Sequence, residues 1–127
     1  MHHIQSPRTC DASIEEEILA KGLTAPRITP ADVEANITSA FYFTAADGCY
    51  GSSGHRPESV RAGTALSLLT FCVLVLRNGF TVTGESACAS PENFDAEVGR
   101  RIARENAKQK LWPLLGYELK TRIASGH

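Results

Sequence analysis

Arg100 and Arg104 stand four residues apart in a stretch rich in helix-forming residues, which puts both guanidinium groups on one helix face. Two planar forks presented together suit a pyrophosphate or a cyclic phosphate ring, because each fork donates paired hydrogen bonds. Their neighbours have local partners: Glu97 can reach Arg101, and Arg101 can reach Glu105, at i, i+4 spacing. Arg100 and Arg104 have no such partner four residues away. Spacing alone leaves a solvated helix face as the simpler reading of the pair.

Other reactive side chains do not assemble into a catalytic pattern. The histidines are His2, His3, His55 and His127, with no H-E-x-x-H spacing. The cysteines are Cys10, Cys49, Cys72 and Cys88, with none of the paired short spacings that zinc sites use. Cys72 sits in an apolar run and reads as a small core residue. His55 with Cys49 would be a nucleophile pair without a motif to support it. Glu92 and Asp95 open a helix, where capping explains them. Gly48, Gly51, Gly54 and Gly63 are clustered but lack the Gly-Lys-Ser/Thr of a phosphate loop. These residues point to a binder with no cofactor rather than an enzyme.

Bulk composition narrows the classes further. At 127 residues with 43% apolar and 21% charged residues, the chain fits one globular domain with a thin core. A net charge of −1 argues against capture of nucleic acid polymers, which needs a clustered excess of Lys and Arg. The first residues lack the basic and apolar segments of a signal peptide. The longest apolar run, residues 66–76, is far too short for a membrane span. Free thiols in a reducing cytoplasm are the expectation.

Residues 1–27 read as a flexible extension carrying a short helix: Ser13 and Glu16 resemble a capping box, Ile14, Ile18 and Leu19 form a stripe, and Gly22 ends it. Residues 28–127 read as a single α+β ligand-binding domain. Thr29-Pro30 starts a helix, and Val33, Ile37 and Phe41 recur every four residues, predicting about three turns. Residues 45–63 read as one long loop. The apolar run 66–76 predicts a strand buried on both faces, or nearly so. Asn78-Gly79 then turns it into a hairpin. The return strand puts Phe80 and Val82 on one face and displays the hydroxyls of Thr81 and Thr83 on the other. Ser90-Pro91 starts a second helix from about residue 92 or 93, anchored by Phe94, Val98, Ile102, Leu111 and Leu115. Pro113 should kink or restart it, and Gly116 adds a second break. The expected fold is α+β: a central antiparallel β-hairpin sheet packed with an N-terminal helix and a long C-terminal helix.

The block Leu69-Thr70-Phe71-Cys72-Val73-Leu74-Val75-Leu76-Arg77-Asn78-Gly79-Phe80-Thr81-Val82-Thr83-Gly84 resembles a family of small phage and prophage proteins. Ser90-Pro91-Glu92-Asn93-Phe94-Asp95, Leu111-Trp112, Ile28-Thr29-Pro30-Ala31-Asp32 and Tyr42-Phe43-Thr44 continue the likeness. The resemblance extends to the first type of Thoeris anti-defence protein. It implies a sponge that binds cyclic ADP-ribose isomers (gcADPR-type signals made by bacterial TIR enzymes) without cleaving them. It further implies cyclic oligonucleotides as possible ligands, a homo-oligomer (a hexamer), and action in the host bacterial cytoplasm. On the matching motifs, Arg100 and Arg104 would clamp phosphate, and Phe71 or Phe80 would stack on adenine. Thr81, Thr83 and Asn93 complete the implied ligand set. A phage protein that inhibits a host protein by direct binding is the alternative.

Overall fold

A computed structural model describes residues 7–54 and 64–126. Three helices, α1 (Pro7–Ala20), α2 (Pro30–Ala35) and α3 (Ala45–Ser53), alternate early with strand β1 (Ile37–Thr44). Strands β2 (Leu69–Leu76) and β3 (Thr81–Ala87) follow, then helices α4 (Ala96–Gln109) and α5 (Leu111–Ala124). The expected α+β class holds, with a long helical C-terminal region against an antiparallel sheet. The sheet has three strands in the order β1-β2-β3, so the hairpin gains a partner that periodicity did not reveal.

That partner comes from the stretch expected to extend α2. Thr29 caps α2 in a reciprocal box with Asp32, and Pro30 sits at its start, but the helix ends at Ala35. From Ile37 the chain reads Ile-Thr-Ser-Ala-Phe-Tyr-Phe-Thr, β-branched and aromatic residues that fit a pleated surface better than a helix. Antiparallel pairing from Ile37↔Leu76 to Thr44↔Thr70 supplies the backbone bonds a helix would have made. The four-residue recurrence of Val33, Ile37 and Phe41 is thus split: Val33 is fully buried, while Phe41 is 56% exposed on a strand.

The expected loop over 45–63 is helical through Ser53. Thr44 and Asp47 make a second capping box, and Gly54 closes α3 in the left-handed region. Positions 55–63, which include Gly63 and His55, lie outside the described residues, as do His2, His3 and His127. Ser13 is not a cap either, because α1 already begins at Pro7; Gly22 does follow its end. A bidentate ion pair from Arg27 to Glu15, 2.5 and 3.0 Å, ties α1 to the segment before α2.

The β2–β3 hairpin forms as expected. Gly79 adopts φ 90°, its N–H donates to the Leu76 carbonyl, and the Leu76 N–H donates to the Phe80 carbonyl. This is a three-residue loop needing a residue free to adopt positive φ. β2 is not buried on both faces: burial alternates strictly, with Thr70, Cys72, Leu74 and Leu76 buried and the residues between them half-buried.

The second expected helix starts later. Pro91–Asn93 is a single 3-10 turn, and Asp95 caps α4 by accepting from the Val98 N–H. The break falls at Lys110, and α5 then runs unbroken through Gly116. Pro113 lies in the first turn of α5, where its missing N–H has no intrahelical acceptor to lose.

α4 packs across β2 and β3 at unusually short range. A Cβ on Gly84 would lie 2.3 Å from both the Ala103 carbonyl oxygen and the Ala107 nitrogen. The core joins Cys72, Leu74, Leu76 and Val82 of the sheet to Ala103, Ala107, Leu111 and Leu115 of the helices, with Val33 from α2. Among the described residues, no helix is long and apolar enough to cross a membrane.

Candidate functional site

Asp95 sets the start of α4, and the contact at Gly84 sets its height above the sheet; together they place Arg100 and Arg104 beside the β1 edge. Arg100 is exposed and lines a small cleft of about 90 Å³ with Tyr42, Phe43, Thr44, Thr70 and Phe94. Asp47 is the one carboxylate of the wall, and its Oδ2 is engaged by the Thr44 N–H in the α3 cap. Among the described residues Arg100 makes no ion pair, so its five donors are available to an anion.

Arg104, one turn further, is not available in the same way. Its Nη2 lies 2.5 Å from Glu34 Oε1, and Lys108 Nζ lies 3.0 Å from Glu34 Oε2. Spacing could not reveal this partner, which stands on α2. The Arg104 hydrogen bond holds the Glu34 carboxyl down at about 2, opposed by partial burial and aided by Lys108. Lys108 is itself buried and also faces Glu105 Oε2 at 3.8 Å. Tyr42 stands near both arginines: it lines the Arg100 cleft, and the Arg104 charge acts on its phenol. Burial pushes both the Tyr42 phenol and the Cys72 thiol above their ordinary values.

The remaining expected ligand residues are spread over the molecule. Phe71 faces the opposite side of the sheet from α4, stacked on Phe43 with ring centroids 5.6 Å apart. Through Phe43, which also walls the cleft, Phe71 is linked to Arg100. Thr81 and Thr83 are exposed on that same outer face, opposite Val75 and Val73. Phe80 is 56% exposed at the hairpin tip and lines a cavity of about 450 Å³ with Arg77 and Glu118. Glu118 in that wall is ion-paired with Arg122 at 2.8 Å. Phe80 is the one aromatic ring among the lining residues, against Tyr42, Phe43 and Phe94 beside Arg100, so size does not make this cavity the better nucleotide site. Asn93 borders a third groove with Cys88, Val98 and Ile102.

Tyr42, Phe43, Thr44 and Phe94 are the wall residues that periodicity missed. The β-branched and aromatic residues of 37–44 were the available signal. No group of three or more His, Cys, Asp or Glu that would hold a metal occurs among the described residues.

A family model for phage proteins matches residues 28–123, from just before α2 to near the end of α5. The chain belongs to the phage protein (N4 Gp49/phage Sf6 gene 66) family. The family's region contains the whole sheet, the Arg100 cleft and the Glu34–Arg104 pair, and it leaves α1 outside. Searches of curated proteins and of solved structures give no match to the chain.

Proposed function

We propose that this phage-family protein binds and sequesters, without cleaving, cyclic ADP-ribose isomers of the gcADPR type made by bacterial TIR enzymes, as an anti-defence protein in the host cytoplasm. The observation that carries this reading is Arg100, a guanidinium with no ion-pair partner among the described residues, set in a cleft walled by Tyr42, Phe43 and Phe94. A free cation beside aromatic rings offers the two contacts that a nucleoside phosphate needs: paired hydrogen bonds for the phosphate and a stacking face for the base. Hydroxyls of Thr44 and Thr70 line the same cleft and add donors for phosphate or ribose.

The cleft is small beside the ~300–1,000 Å³ of ordinary ligand pockets. It therefore suits one phosphate and part of a base, with the rest of the cyclic ligand extending past it. Arg104 enters as a second contact only where the ligand competes with Glu34 for the guanidinium.

Titration calorimetry with a cyclic ADP-ribose isomer, followed by heating and mass spectrometry of the released small molecule, tests the reading. Stoichiometric binding and recovery of unaltered ligand are expected. Arg100→Ala should weaken binding tenfold or more, the scale of about 1.5–3 kcal/mol for a charged hydrogen bond. No binding by the unmutated protein, or recovery of an altered ligand, overturns it.

One observation favours the alternative, inhibition of a host protein by direct binding. The sheet face opposite α4 displays Phe41 and Phe43, both exposed, beside the half-buried Phe71, Val73 and Val75. Under that reading Arg100→Ala leaves partner capture unchanged, while charge placed on this face abolishes it.

A further inference from the structure

We infer that the cavity between the β2–β3 hairpin and α5 is a second binding site, one that takes a small zwitterion with an apolar body: an aromatic or branched α-amino acid. It lies at the far end of the sheet from the Arg100 cleft, since Thr70 of β2 borders the cleft and Leu76 borders the cavity. The extended strand between them spans roughly 20 Å at about 3.3 Å per residue. At about 450 Å³ the cavity falls within the ~300–1,000 Å³ of ordinary ligand pockets.

The deciding feature is a cation and an anion that share this wall without neutralising each other. Arg77 and Glu118 both line the cavity, yet they form no ion pair together. Among the described residues, the exposed Arg77 guanidinium makes no ion pair or hydrogen bond. Only the Arg77 backbone is engaged, its N–H donating to the Asn36 carbonyl at 2.9 Å. Glu118 gives Oε1 to Arg122 at 2.8 Å, and no hydrogen bond reaches its Oε2 among the described residues. An anion alone would face Glu118, and a cation alone would face Arg77. A ligand carrying both charges satisfies both groups.

Asn36 adds a donor at the same place. It is 9% exposed in the cavity wall, and its Oδ1 accepts from the Arg77 N–H at 3.4 Å. Its Nδ2 makes no hydrogen bond among the described residues, whereas buried amides are as a rule paired. Beside the Arg77 fork, that amide supplies a further donor for the two oxygens of a carboxylate. The rest of the wall is apolar. Leu76 and Leu115 are buried, while Leu114 and Phe80 stay 41% and 56% exposed. An apolar ligand side chain laid over them takes that surface out of water, and the Phe80 ring favours an aromatic one. The hairpin tip holds its own shape, because Asn78 Oδ1 accepts from the Phe80 N–H at 2.9 Å. Arg77 and Phe80 are thus carried on a loop that needs little ordering on binding.

Heteronuclear NMR titration of the full chain with L-phenylalanine and L-leucine tests the site. Saturable shifts are expected at the Asn36 side-chain amide, Arg77 and Phe80, with residues 96–104 of α4 unmoved. Phenylalaninamide lacks the carboxylate and N-acetylphenylalanine lacks the ammonium, so each should bind several-fold more weakly. Arg77→Ala should weaken phenylalanine roughly tenfold or more, the scale of a charged hydrogen bond. Glu118→Gln should weaken phenylalanine but not N-acetylphenylalanine. No shift at the cavity with either amino acid at millimolar concentration overturns the inference. So does equal binding of phenylalanine and N-acetylphenylalanine, which would make this a site for plain acids. Unchanged affinity in Arg77→Ala overturns it too, as does displacement of phenylalanine by a cyclic ADP-ribose isomer, which would assign the cavity to the nucleotide. The ligand analogues need no variant, so they decide the matter even if Arg77→Ala fails to fold. A failure of nucleotide binding at Arg100 leaves these results untouched, since the cavity is argued independently of the cleft.

Discussion

The two faces of the sheet are built from opposite materials. The face under α4 carries Ala40, Thr70, Cys72 and Gly84 beside Leu74 and Val82, while the other carries Phe41, Phe43, Phe71, Val73 and Val75. Small residues let the helix backbone approach until it touches the strand, and the leucines and valines fill what remains. The large side chains stand on the face with less cover. Stability is concentrated on one side and surface for contact on the other, so substitutions on the two faces should report on different properties.

The sharpest way to break that contrast is Gly84→Ala. Its new methyl would meet backbone atoms of α4, which cannot rotate aside, so overpacking should exceed its usual cost and remove about 3 kcal/mol or more. A urea midpoint within error of the parent would show that α4 floats over the sheet. Leu74→Ala, also on the covered face and fully buried, should lose about 2–5 kcal/mol with the slope of the denaturation curve retained.

Glu34 gives a smaller effect with a distinct pH signature. Its carboxyl sits at about 2 in the fold against an ordinary 4.5. The ion pair with Arg104 therefore contributes fully above about 4.5 and fades as pH falls toward about 2. Glu34 is half exposed, so solvent screens the pair and Glu34→Gln should cost under about 1 kcal/mol at neutral pH. The variant should lose stability less steeply between pH 4.5 and 2 than the parent, as followed by circular dichroism. An equally steep acid limb in both would locate the acid sensitivity elsewhere. Smallest of all, Thr83→Val on the outer face should stay within about 0.5 kcal/mol of the parent. A larger loss would mean that this face is covered after all.

Local chemistry made some elements legible in the sequence and hid others. The Asn78-Gly79 turn and the cap at Thr29 are short-range devices, and both were readable. β1 was not, because Val33, Ile37 and Phe41 satisfy a helical period while the residues between them satisfy a strand. Only the ladder with β2, from Thr44↔Thr70 to Ile37↔Leu76 and so distant in the chain, decides between the two. α3 was hidden by its glycines, although Thr44 and Asp47 form as clear a capping box as Thr29 and Asp32. Helical spacing paired Arg100 with Arg104, and the fold does bring both to Tyr42. It could not show that Glu34 already holds one of them, since α2 and α4 are distant in the chain.

The close seating of α4 on Gly84 also bears on how a ligand would be met. A helix whose backbone rests on a strand has little room to slide or turn, so Arg100 projects from a base that is already in position. Less ordering is then left to be done on binding, and the entropy lost falls mainly on the side chain and the ligand. Loosening that seat with a residue far from the cleft should therefore weaken binding without altering a single contact in it.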